Sequence, residues 1–217
     1  MVHAVQTTSS RSVVLFIAAM AAVVAVSNVL VQYPFQATLG GLNLADLLTW
    51  GAFTYPIAFL VTDLTNRRFG PAMARRVVFV GFSLAVVLSI WLATPRIAIA
   101  SGTAFLLAQL LDVSVFNALR QRLWWQAPLF STVIGSALDT MIFFALAFAP
   151  AFAALDFGAT EPGSLGFLVP FLGVFGETPL WISLAAGDFI VKMMVGLAML
   201  VPYGLFANSA AGRHQFS

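Results

Sequence analysis

Long apolar runs, broken by short polar or arginine-bearing stretches, dominate the chain. Crossing about 30 Å of hydrocarbon takes about 20 helical residues. Runs near that length lie at Ser12–Val31, Leu47–Thr62, Val77–Thr94, Ile97–Leu119, Pro128–Ala149 and Leu180–Val201. The second is short and carries Pro56, whose missing N–H and bulky ring predict a kink. The period-two alternation of barrel strands is missing. The pattern therefore predicts an all-α polytopic membrane protein, with residues 1–217 forming one six-helix transmembrane domain.

Composition agrees. Hydrophobic residues make up 61% of the sequence and charged residues 8%, against about 25% charged in soluble chains. So few charges could not cover a water-facing surface. Lipid as solvent removes the difficulty, provided helices satisfy their own backbone groups. The net charge of +2 does not suggest nucleic acid, because nearly all the positive charge is arginine beside apolar runs. With no cysteine, disulfides, thiolate metal sites and cysteine nucleophiles are excluded.

The arginines orient the spans. Arg11, Arg67, Arg68, Arg75, Arg76, Arg120, Arg122 and Arg213 all fall on one side of a six-span scheme. The other side holds Arg96 with Asp46, Asp156, Glu161 and Glu177. By the positive-inside rule both termini are cytoplasmic, in a bacterial-type inner membrane. Ala25-Val26-Ser27 mimics a signal-cleavage site. The run is long for a signal peptide, and the first span is read as a retained helix. On the outer side, residues 150–179 are rich in glycine, proline and phenylalanine. Phe167–Phe175 is too short to span and too apolar for a solvated loop. A re-entrant segment, a lid and an interfacial segment are all open readings.

An ionisable group deep in a bilayer costs about 2.5–3.5 kcal/mol on insertion scales and marks a site by default. Asp112, Asp139, Asp188 and Lys192 lie well inside spans, joined by Gln109 and Asn117. Gln109 and Asp112 share a helix face, and Asp188 and Lys192 have the spacing of an intrahelical ion pair. Thr132, Ser136 and Asp139 form a polar stripe. These groups are expected to converge from three helices, either as ligand contacts or as structural pairs. Lys192 is the sole lysine, and the three carboxyls outnumber it, so one of them is expected to hold a proton. Asp63, beside Arg67 and Arg68, reads as a cap or an arginine partner. Asn28 and Gln32 lie near the outer end of the first span, and Trp181 near that of the sixth. Trp181 and Trp50 read either as interface anchors or as stacking surfaces. Trp124 and Trp125 read as anchors.

Enzyme chemistry is poorly represented. Both histidines, His3 and His214, lie in the tails, and no zinc-protease, serine-hydrolase or phosphate-loop motif is present. An aspartate pair built from Asp112 and Asp139 is the one hydrolytic alternative. No catalytic or metal site and no cofactor is expected. A small-molecule importer fits the midplane polar groups better than a structural subunit does.

Specific stretches carry a resemblance: Ser27–Gln32, Thr49–Phe53, Phe59–Thr65, Gly70-Pro71 to Arg76, Arg96–Ala98, Gln109–Val113 with Val115–Asn117, Trp124-Trp125 to Pro128, Ser131-Thr132, Asp139-Thr140, and Asp188 with Lys192. In this order, from about Ser27 to Leu205, the chain resembles the queuosine precursor transporter family. The resemblance implies a six-helix fold like the substrate-binding components of vitamin-uptake transporters. It also implies import of 7-cyano-7-deazaguanine or its aminomethyl form, salvaged for transfer-RNA modification. A carboxylate would accept the paired N–H donors of such a base, while Gln109 or Lys192 would donate to its carbonyl. On this reading the substrate-binding residues are Gln109, Asp112, Asp139, Asp188 and Lys192, with Asn28, Gln32 and Trp181 as outer contributors. Uptake of another purine-like or vitamin-like heterocycle is the alternative. Ala18/Ala22 and Ala21/Ala25 on the first span form small-residue faces. Internal packing, a homodimer contact and an energising partner subunit are all open uses for them.

Overall fold

The computed structural model describes residues 2–39, 42–156 and 165–212. Arg213, His214 and Glu161 lie outside the described residues, as does the side chain of His3. Among the described residues the helices are α1 (Val2–Leu30), α2 (Gly51–Thr54), α3 (Ile57–Phe69), α4 (Pro71–Leu92), α5 (Pro95–Leu119), α6 (Gln126–Phe148) and α7 (Leu180–Gly212). The chain is an all-α membrane protein. Five helices (α1, α4, α5, α6 and α7) are long and apolar enough to cross a bilayer. The run Leu47–Thr62 is not one helix: α2 stops at Thr54, and α3 begins after Pro56. The proline has no N–H to return to the Ala52 carbonyl, so the helical ladder is interrupted there.

The core follows from helical spacing. On α1, Phe16, Met20, Val24 and Ser27 recur at the period of one helix face and are buried. Phe16, Met20 and Val24 pack with Ala58 and Val61 of α3, Val77, Val78 and Ala85 of α4, and Phe105 and Val113 of α5. The other face of α1 carries Val14, Leu15, Val26 and Val29, all exposed. Ala18 and Ala22 lie on that open face, whereas Ala21 and Ala25 are partly covered. A helix apolar all round, with one face packed and the other open, is what a lipid-bathed bundle requires.

The two ends of the bundle are tied differently. At the arginine-rich end, Arg67 Nη1 donates to the Arg120 carbonyl at 2.7 Å, and Arg120 Nη2 returns a bond to the Arg67 carbonyl at 3.4 Å. Each cation thus satisfies a carbonyl at the C-terminal end of the other's helix, where the helix dipole favours positive charge. Trp124 lies against Gly204 of α7, where a Cβ would come within 2.9 Å of the indole ring. At the opposite end, the α1–α2 connection holds an antiparallel hairpin of β1 (Thr38–Leu39) and β2 (Leu42–Asn43). A second hairpin, β3 (Leu168–Pro170) with β4 (Glu177–Pro179), precedes α7. Leu172, at its tip, donates its N–H to Ser183 Oγ at 3.2 Å. Phe167–Phe175 is therefore a hairpin folded on the start of α7, with Phe167, Leu168, Val174 and Phe175 exposed.

Gly51 starts α2 against the end of α1. A Cβ there would lie 2.8 Å from Val31 Cα and 3.0 Å from Val31 N, backbone atoms that cannot rotate away. Gly51→Ala is expected to push the two segments apart and lower stability by about 1–3 kcal/mol, the usual cost of overpacking. Thermal unfolding in detergent measures it, and an unchanged midpoint would show that the contact yields freely.

Candidate functional site

A cavity of about 480 Å³ opens at the end opposite the arginine-rich one. Its mouth is formed by Gln32, Asp46 and Thr94, all exposed. One wall is α1, through Ser27 and Asn28, with Val31 and Leu47–Thr49 of the following connection. Another wall is α6, through Phe143, Phe144 and Phe148. Phe143 and Phe144 follow Asp139 by about one helical turn, so all three reach the same space. Asp139, Asp188, Lys192 and Tyr55 complete the lining.

The polar groups of this lining form a bonded cluster. Lys192 Nζ lies 2.6 Å from Asp139 Oδ2 and 2.5 Å from Asp188 Oδ2. It also donates to Thr140 Oγ1 at 3.1 Å, while Thr140 donates to Asp188 Oδ2 at 2.8 Å. The Tyr55 ring centroid is 5.9 Å from Nζ, within cation–π range. The side chains of Lys192 and Asp139 are each 5% exposed, and that of Asp188 15%. A lone buried lysine is strongly disfavoured, and two carboxylates around it supply the compensation. With both ionised, the cluster carries a net negative charge at the bottom of a largely apolar cavity.

The sequence-predicted residues divide into two groups. Asp139, Asp188, Lys192, Asn28 and Gln32 all line the cavity. Gln109 and Asp112 do not line it. Gln109 is buried and accepts from Thr62 Oγ1 at 2.6 Å. Asp112 is buried beside Asp63 and Ser131. Asp112 and Asp139 thus lie in separate groups and form no aspartate pair. Asn117 is exposed near the end of α5. Trp181 is partly buried outside the lining, its backbone N–H donating to the Leu165 carbonyl. Trp50 is 45% exposed and packs edge-on against Phe35 of the α1–α2 connection. The arginine partner expected for Asp63 gives way to Ser131, whose hydroxyl donates to Asp63 Oδ1 at 3.1 Å. Asp63 lies inside α3 and faces the bundle, so it caps nothing. The described part of residues 150–179 does not line the cavity, whereas the α1–α2 connection does.

Sequence reasoning missed the phenylalanines of α6 as part of the site. Their one-turn offset from Asp139 was the available signal. Within so apolar a helix that signal does not stand out from lipid-facing phenylalanine.

Comparison with known proteins places this geometry in a family. The family model described as "Putative vitamin uptake transporter" matches residues 49–94 and 88–206. The chain is 36% identical over 214 residues to the "Probable queuosine precursor transporter" of Haemophilus influenzae, covering 86% of this chain and 82% of that one. It is 35% identical over 208 residues to the "Queuosine precursor transporter" of Escherichia coli, with the same shares covered. A Bacillus subtilis protein named "Probable queuosine precursor transporter" is 28% identical over 188 residues, covering 74% of this chain and 71% of that one. No solved structure matches the chain. These relatives are transporters rather than enzymes, and several helices of this chain are fit to cross a bilayer. With most of its length matched in the family model and in relatives above one-third identity, this multi-pass membrane protein belongs to the queuosine precursor transporter family.

Proposed function

We propose that the protein imports queuosine precursors, 7-cyano-7-deazaguanine or its aminomethyl form, across the cytoplasmic membrane by binding the flat base in the cavity above Lys192. In this reading α2 and α3 together cross as the second of six spans, in one domain. Both termini then lie on the arginine-rich, cytoplasmic side, and the cavity opens outward.

The observation that carries the reading is the Asp139–Lys192–Asp188 cluster at the bottom of an aromatic-walled cavity. A volume of about 480 Å³ suits a small heterocycle, and a few convergent polar groups in an apolar lining suit recognition. Lys192 engages Oδ2 of each aspartate, leaving both Oδ1 atoms to accept N–H groups of the base. Phe143, Phe144 and Tyr55 offer aromatic surface to its ring. Asn28 and Gln32 add polar groups nearer the mouth.

Thermal stabilisation of the detergent-purified protein tests the cargo. A ligand that binds only the folded state adds about 2.7 kcal/mol at a hundred times its dissociation constant. The expected result is a large shift with 7-cyano-7-deazaguanine, a smaller one with guanine and none with an unrelated vitamin. Asp188→Asn should weaken the shift at least tenfold in apparent affinity, the scale of one charge-assisted hydrogen bond at about 1.5–3 kcal/mol. No shift in a well-folded sample would remove the cargo reading and leave the fold standing.

A second reading, a substrate-binding subunit energised by a partner, rests on the open Ala18 and Ala22 face of α1. Co-purification of a transmembrane partner with an ATPase would decide for it.

A further inference from the structure

We infer that the carboxyl pair Asp63–Asp112 is a second binding site, separate from the cargo cavity, and that its ligand is a proton. The two residues come from α3 and α5 and are 1% and 0% exposed. Their carboxyl groups stand side by side. Ser131 donates to Asp63 Oδ1, but neither oxygen of Asp112 meets a donor of hydrogen-bonding geometry.

No cation neutralises the pair among the described residues. Lys192 is held by Asp139 and Asp188. The nearest arginines in the fold, Arg67 and Arg120, donate to each other's backbone carbonyls. From α7, Tyr203 presents a buried hydroxyl with no partner and shares with Asp63 a cleft of about 10 Å³, room for about one water. Two buried carboxylates in contact cannot both stay ionised. One proton resolves the charge and the missing donor together, because a protonated carboxyl donates one O–H to the other. A bound metal ion would need several oxygens converging on a space larger than this cleft.

The pair's position gives the proton a role, which rests on the cargo reading above. Asp63 lies about two helical turns, roughly 12 Å, beyond Tyr55 towards the arginine-rich end at about 1.5 Å per residue. Cargo leaving the cavity on that side must part α3 and α5 from α6 and α7 at this level. Parting them takes Ser131 and Tyr203 away from the pair and admits water. The O–H bond then breaks, the proton passes to water, and both groups remain as carboxylates. The closed form binds one more proton than the inward-open form. Raising cytoplasmic pH therefore favours opening, and reloading of the pair from the outer side once the inner side has closed makes an inward proton gradient drive import.

Infrared spectroscopy of the purified protein tests the site without any cargo. At neutral pH the wild type should show the carbonyl stretch of a protonated carboxylic acid. The band should persist in Asp139→Asn and disappear in the Asp63→Asn/Asp112→Asn double variant. Absence of the band from the wild type, or its survival in the double variant, would overturn the site. In reconstituted vesicles, an alkaline interior should accelerate 7-cyano-7-deazaguanine uptake several-fold in the wild type. The double variant should lose that response while keeping cargo-induced stabilisation. Acceleration by a sodium gradient instead, or uptake indifferent to both gradients, would overturn the coupling. Lack of wild-type stabilisation by the cargo would show separately that the cargo reading had failed.

Discussion

Lys192→Met should abolish cargo-induced stabilisation and lower the stability of the folded protein by about 3–5 kcal/mol, the cost of stripping one partner from a buried ion pair. The reason lies in the order of the cluster. Asp139 and Asp188 approach the same ammonium from two helices, and Thr140 bridges Lys192 to Asp188. Without the ammonium, two carboxyls face each other in a low-dielectric cavity. The methionine fills similar volume, so the loss reports charge rather than packing. Adding Asp139→Asn removes one of the opposed charges and should recover part of the stability. Cargo binding should stay lost, because no ammonium is left to hold the two side chains with their Oδ1 atoms free for the base. Thermal unfolding of both variants, with and without 7-cyano-7-deazaguanine, separates the two effects. A Lys192→Met protein with wild-type midpoint and wild-type ligand shift would show that the cluster neither holds the bundle nor binds cargo.

Arg96→Ala should be nearly as damaging, at about 3–5 kcal/mol, for a different reason. Arg96 begins α5, yet its side chain works on the end of α6. Nε donates to the Leu146 carbonyl at 2.8 Å, Nη2 to the Ala149 carbonyl at 2.7 Å, and Nη1 reaches Asp156 at 2.7 Å. The last carbonyls of a helix have no partner within it, and this guanidinium supplies two at once. Its side chain is 6% exposed, so little water is available to replace it. Arg96→Lys should rescue only partly, because one ammonium cannot reproduce a planar fork. Next to Arg96, Ile97 lines the cavity, and Phe148 lines it from α6. The truncation should therefore also weaken cargo binding, without touching cargo. Unfolding midpoints for the two variants check the prediction. Equal midpoints for Arg96→Ala and wild type would mean that the end of α6 needs no such tie.

Much of the architecture was legible because lipid imposes simple rules. Five apolar runs became long helices, and Pro56 marked the place where the remaining run breaks. The arginines collect where α3 meets α4 and α5 meets α6, as the spacing of the runs predicts. The site was half legible. Asp188 and Lys192 were legible as a pair because four residues on one helix fix a contact. Asp139 joins them from α6, in keeping with its need for a cation from elsewhere. Gln109 and Asp112 were grouped with them because all lie mid-helix. Asp112 is about 10 Å from the arginine end of α5, whereas Asp139 is about 20 Å from that end of α6, at about 1.5 Å per residue. That difference separates two polar layers, and it emerges only once the helix ends are fixed. Asp63 was misleading for a related reason. Arginines follow it by about one helical turn, but Arg67 reaches the end of the bundle while Asp63 points inward. Tryptophans drew attention as stacking surfaces, yet phenylalanines line the cavity, and no local pattern distinguishes such a phenylalanine from one that faces lipid.

The break at Pro56 has a bearing on how far mutagenesis can go. Ala52 lines the cavity, and the residue four positions on has no N–H to offer its carbonyl. Among the described residues no other backbone N–H takes that place. An acceptor of this kind belongs to the main chain, so exchanging side chains leaves it intact. A cargo that bonded to this carbonyl would gain binding energy that an alanine scan of the cavity does not recover. Only a change that restores an N–H at position 56, such as Pro56→Ala, would bring the missing part into view.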